Sequence, residues 1–229
     1  QTLNIWVHLL GTIYFMYRCA VSFSEIDSNP SIAIFHLSSV CCLGLSTAYH
    51  CFQPISEKMY HFLLRMDYLG IVVQVAGSYV PGIYLGFRCF PAAQWTHCAI
   101  TALFTVLAVA SSGVSPTSAL GKVRIPIVVG LVAYGVVPLL HWCTLSRMED
   151  IQMFGYGVVR MLLLYAIGFF FFRSRFPEVM MPGAFDTFMS SHQIWHAFVL
   201  VAAMSWDSTC TEVVRRYSSR QCEDIWYAQ

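Results

Sequence analysis

Apolar runs of about twenty residues recur along the whole chain, and each is long enough to cross the hydrocarbon core of a bilayer. Seven can be delimited: Leu3–Phe23, Ile32–Phe52, Tyr68–Phe87, Ala92–Ser112, Ile125–Leu145, Phe154–Phe172 and Phe188–Trp206. Turn-forming residues separate them, among them Ser28-Asn29-Pro30, Gln53-Pro54, Pro91, Ser115-Pro116-Thr117 with Gly121, Met148-Glu149-Asp150, Phe176-Pro177 and Met181-Pro182-Gly183. In lipid every backbone N–H and C=O must be satisfied within its own segment, so runs of this length are helices. The expected fold is all-α, a polytopic seven-transmembrane helix bundle forming one domain over residues 1–229. Pro81 and Pro138 fall inside the third and fifth runs, as kinks that neighbouring helices can accommodate.

Composition removes the main alternative, an unusually apolar soluble core. Charged residues make up 11% of the chain, against about 25% in a globular domain, too few to cover a surface that faces water. A net charge of +1 and the lack of a basic tract argue against nucleic acid as a partner. Nine cysteines, with no C-x-x-C pair, read mostly as small buried side chains. The chain opens on Gln1, so it is expected to be a fragment whose targeting signal or soluble N-terminal region lies outside it.

Loop charge sets orientation. On side A, the side of the N-terminus, the loops carry Lys58, Arg65, Lys122, Arg124, Arg173 and Arg175. The loops of side B carry only Arg88 and Arg147, with Arg215, Arg216 and Arg220 in the tail beyond the last run. Side A is expected to be cytosolic, with the N-terminus inside.

Seven crossings in this order place four metal-capable side chains in one layer, a turn or two beneath the cytosolic face. His50 ends the second run, Asp67 opens the third, and His192 and His196 open the seventh. His192 and His196 are four apart, hence on one helix face. Each has a plainer reading alone: His50 as an interfacial histidine, His192 and His196 as a packing pair, Asp67 as a helix N-cap. Together they read as a metal site. Three imidazoles and a water form the open tetrahedral shell of catalytic zinc, with Asp67 holding the water or a ring from outside that shell. Ser46, one turn before His50, faces the same way and could hydrogen-bond the water or a substrate carbonyl. His8, on side A of the first run, is the rival ligand, although Asn4 one turn earlier suggests a hydrogen-bonded pair with it instead. His36, His97 and His141 fall towards side B, and His61 in a solvated loop.

These motifs resemble those of the progestin and adipoQ receptor family, related to the haemolysin III proteins. The matching stretches are Thr2-Leu3-Asn4-Ile5-Trp6-Val7-His8-Leu9-Leu10, Ser46-Thr47-Ala48-Tyr49-His50, Met66-Asp67-Tyr68-Leu69-Gly70-Ile71, and Pro182-Gly183-Ala184-Phe185-Asp186 followed by Ser191-His192-Gln193-Ile194-Trp195-His196. They occur in order and cover nearly the whole chain. The resemblance implies seven helices, a cytosolic N-terminus and zinc on His50, His192 and His196, with Asp67 near it through water. Gln1 departs from the acidic residue usual there. Within the family, the last helix, Tyr134–Trp142 and the tail around Cys222 are most similar to a Golgi-resident branch that retains a Raf-type signalling kinase.

Three functions follow as expectations. The first is a signalling receptor that is also a zinc-dependent amidohydrolase acting on a ceramide-like lipid, with Asp67 orienting water or acting as general base and Ser46 assisting at the oxyanion. The second is a receptor whose zinc is structural and whose ligand approaches from the extracellular or lumenal side, opposite the zinc. The third is a Golgi membrane anchor for a cytosolic signalling protein. Expected partners also include fatty acid, and the expected location is the Golgi or plasma membrane. A conventional G-protein-coupled receptor is disfavoured: no Asp-Arg-Tyr follows the third run and no Asn-Pro-x-x-Tyr closes the seventh.

Overall fold

The computed structural model describes residues 2–24, 29–114, 118–217 and 222. Gln1, Ser28, the Ser115-Pro116-Thr117 break and Arg220 lie outside the described residues. The regular secondary structure of the described residues is all helix, without a strand. We label the long helices α1 (Thr2–Ser24), α2 (Pro30–Phe52), α3 (Glu57–Gly86), α4 (Pro91–Ser112), α5 (Arg124–Leu145), α6 (Met148–Ser174) and α7 (Ser191–Tyr217). A single turn, Ala119–Lys122, precedes α5, which is broken at Gly135, and α6 opens with a wide π turn over Ile151–Gly155.

Six of the seven, α2 to α7, are long and apolar enough to span a membrane. The mean hydropathy of α1 is diluted by Asn4, His8 and Arg18. Asn4 and His8 are buried in the bundle, whereas Trp6, Leu10, Ile13 and Tyr17 form an exposed apolar stripe down the other face. A helix with its polar residues inward and its apolar stripe outward suits lipid, not water. The helices pack in sequence around α7, which touches α1, α2, α3 and α6. The core centres on Trp206 of α7, with Phe15, Phe35, Trp142 and Phe154. Trp206 Nε1 donates to the Ser78 carbonyl at 3.1 Å, in the turn that Pro81 loosens.

Small residues let the backbones approach, as is usual where helices pack in lipid. A Cβ on Gly70 of α3 would lie 3.0 Å from the Cα of Cys42 on α2, and one on Gly77 would overlap the Ser38 side chain. α3 is therefore locked closely against α2. That contact fixes Asp67 relative to Ser46 and His50.

Three sequence expectations need correction. The third helix begins at Glu57, eleven residues before Tyr68, with Ser56 as its N-cap accepting from Met59 N–H. Asp67 is thus well inside a helix and is not a cap, and His61 is a helical, exposed residue 3.9 Å from Glu57. The seventh helix starts at Ser191, not Phe188, and runs to Tyr217, past Trp206. Not all cysteines are small buried side chains: Cys89 and Cys222 form a disulfide, and Cys51 and Cys98 are exposed. The disulfide ties the α3–α4 connection to the segment after α7, both at end B.

Candidate metal centre

His50 occupies the last turn of α2, and His192 and His196 the first two turns of α7. The start of α7 is fixed by the loop before it. Arg175, in the left-handed region at φ 53°, ends α6. Glu178 then reaches across, and its Oε1 accepts from both the N–H and the Oγ–H of Ser191 at 2.8 Å. Partial burial works against the Glu178 charge, but hydrogen bonds from its own backbone and from Ser191 hold the carboxyl below its usual range. An anion at a helix N-terminus is favourable in its own right. Gln193 fastens the same turn to the loop through Thr187 O at 3.0 Å.

So positioned, the three rings converge. Nε2 of His50 and Nε2 of His192 are 3.4 Å apart, and one nitrogen from each of the three rings lies within 4.8 Å of the others. Ring centroids are separated by 4.5 to 5.3 Å. Zinc–imidazole bonds of about 2.0–2.1 Å set nitrogens roughly 3.3 Å apart on a tetrahedron, close to the His50–His192 spacing. His50 and His196 are buried and His192 half-buried. Three neutral imidazoles out of water, with no carboxylate among them, are a donor set for a borderline divalent ion. The amide of Gln53 lies 3.5 Å from His50 Nδ1. With its oxygen turned to the ring it would accept Nδ1–H and leave Nε2 free for an ion, the orienting contact usual for a ligating histidine.

Ser46 and Asp67 form the next layer. Ser46 is buried, and its hydroxyl bonds the Asp67 carboxylate. Ser46 precedes His50 by one helical turn, about 6 Å of rise, so Asp67 sits deeper in the bundle than the rings. His8 does not join the cluster. It stacks flat on His196, centroids 3.9 Å apart and planes 11° from parallel. The expected Asn4–His8 hydrogen bond is not made: Asn4 Oδ1 finds no partner among the described residues, and His8 hydrogen-bonds the backbone of His196.

Sequence reasoning missed a second polar cluster in the B half. Asp207 of α7 accepts from Tyr14 Oη at 3.0 Å and from Arg18 Nη2 at 3.2 Å, both on α1, forms an ion pair with Arg18 Nε at 2.8 Å, and lies 2.7 Å from Nε2 of His36 on α2. Arg18 also donates to Thr211 at 2.9 Å. The readable signal was an arginine inside the first apolar run. Its partner lay one residue past the expected end of the seventh. His97, His141 and Tyr134 form a further chain in this half, with contacts of 2.8 and 3.0 Å.

Comparison with known proteins agrees with this architecture. The family model described as haemolysin-III related matches residues 1–206. The chain is 30% identical over 239 residues to progestin and adipoQ receptor family member 3 of Homo sapiens, covering 98% of this chain and 76% of that protein. It is 32% identical over 218 residues to the adiponectin receptor protein of Drosophila melanogaster, covering 89% of this chain and 48% of that one. Heptahelical transmembrane protein 1 of Arabidopsis thaliana is 30% identical over 226 residues, 90% of this chain and 67% of that one. With a helix-only bundle, apolar spans and a match over most of its length, the chain belongs to the haemolysin III-related family, which includes the progestin and adipoQ receptors.

Proposed function

We propose that this chain is a multi-pass membrane receptor whose His50, His192 and His196 hold zinc in the cytosolic half of the bundle, and that this centre hydrolyses a ceramide-like lipid amide. The observation that carries the reading is the convergence of three buried imidazoles, two of them with Nε2 atoms 3.4 Å apart. The loop charges favour a cytosolic side A. The Cys89–Cys222 disulfide at the opposite end suits an oxidising lumen or exterior, at the Golgi or plasma membrane.

Zinc bound there would supply a Lewis acid and bring the pKa of a bound water towards about 7. The protein's own groups do the rest. Asp67 would orient that water or take its proton. Ser46 has one hydroxyl hydrogen, and against an ionised Asp67 it is committed to the carboxylate. Ser46 therefore positions Asp67, and is not free to donate to a substrate oxyanion. A layer just beneath the headgroups suits a lipid amide that enters sideways and, with one water consumed in breaking its C–N bond, leaves as fatty acid and the free amine.

Asp67→Asn separates catalysis from metal binding. Its zinc content should match wild type, while fatty-acid release from ceramide by the purified protein should fall about ten- to a hundred-fold. Undiminished turnover would remove Asp67 from the mechanism. A second reading has one observation in its favour. The histidines join α2 to α7 at end A as the Asp207 cluster joins α1, α2 and α7 at end B, which is how a structural staple would be placed. In that reading the protein is a receptor for a ligand on side B, or a Golgi anchor for a cytosolic signalling kinase. Full zinc occupancy with no turnover of lipid amide would favour it.

A further inference from the structure

A ligating histidine is normally held in plane by a hydrogen bond to its second nitrogen, from a carboxylate, carbonyl or water. His50 has the Gln53 amide in that place. The Nδ1 of His196 is buried. What bounds the ring is His8 of α1, also buried, parallel within 11° at a centroid distance of 3.9 Å. His8 meets His196 by its flat face and also by a hydrogen bond to the backbone of His196.

We infer that His8 is a positioning residue for the metal, a wall that fixes the plane of His196 by stacking against it. This rests on the metal reading above. It also draws α1 into a centre whose ligands come only from α2 and α7, so a shift of α1 would reach the metal through His196. At 3.9 Å the centroids are closer than the roughly 4.5–7 Å of ordinary aromatic pairs, so the two ring faces are in direct van der Waals contact. A pivoting His196 would lose the geometry that three ligands need in common.

The test compares wild type with His8→Ala, His8→Leu and His8→Phe, each purified as a folded monodisperse protein. Zinc affinity is read by competition with a chromophoric chelator, and geometry from the visible d–d bands of the cobalt-loaded protein. His8→Phe keeps a flat face and should retain wild-type affinity and spectrum. His8→Leu fills the space without a flat face. It should lose affinity about tenfold or more and shift the bands, as should His8→Ala if it folds. Wild-type affinity and spectrum in His8→Leu would overturn the inference, and so would a His8→Phe protein as weak as His8→Leu. Failure of wild type itself to bind zinc would instead sink the metal reading.

Discussion

Replacing Asp207 by alanine should destabilise the folded protein by about 3 kcal/mol, the lower end of what removing one partner from a buried ion pair costs. The carboxylate is almost wholly enclosed, its side chain 2% exposed, and it accepts from Tyr14, Arg18 and His36. Its loss takes the acceptor from Tyr14 Oη and His36 Nε2 and leaves Arg18 with Thr211. The lower end applies because the Arg18 side chain is 26% exposed. It borders a polar cavity of about 340 Å³ and can swing its head towards water. Thermal unfolding in detergent measures the effect. Asp207→Leu combined with Arg18→Met should recover part of the loss, since an apolar pair often replaces a buried ionic one without penalty. A single substitution as stable as wild type would mean that the cluster does not hold the helices together.

That cluster marks where the sequence stopped being legible. The order of apolar runs was enough to bring His50, His192 and His196 to one end of the bundle, with Asp67 about a turn deeper, because a span of known length converts position in the chain into height in the bilayer. The azimuth of each helix was not available in the same way. His8 shows the difference: its height is right for a ligand, but α1 is rotated so that its ring meets His196 face-on and not the common centre. The start of α3 was misplaced because Lys58 and Arg65 read as loop charge, whereas Ser56 caps a helix that already includes both. The seventh run was cut short where Asp207, Thr209 and Thr211 make its last turns polar. Those residues are polar because α1 and α6 supply partners, Arg18 and Arg160, and such pairing over long chain distances leaves no periodic trace. The disulfide was hidden for the same reason, its cysteines standing 133 residues apart.

His196→Ala should abolish metal binding, taking zinc from about one ion per chain to near none after washing with a chelator. Two imidazoles, His50 and His192, would remain, and zinc centres rarely hold with fewer than three protein ligands. The loss should exceed the roughly hundred-fold upper range seen when only an orienting neighbour is removed. A second readout follows from linkage. An ion that binds only the folded state adds about 2.7 kcal/mol when its free concentration is a hundred times its dissociation constant. Wild-type protein should therefore melt lower when zinc is stripped, while His196→Ala should melt at one temperature with or without zinc. The melting comparison separates metal loss from the void left by the missing ring, because the void lowers stability equally in both conditions. Asp207→Ala serves as the contrast: its cluster lies at the other end of α7, so that variant should still gain stability from zinc. Stabilisation by zinc that persists in His196→Ala would place the ion elsewhere in the bundle and dissolve the link between the three histidines and the chemistry proposed for them.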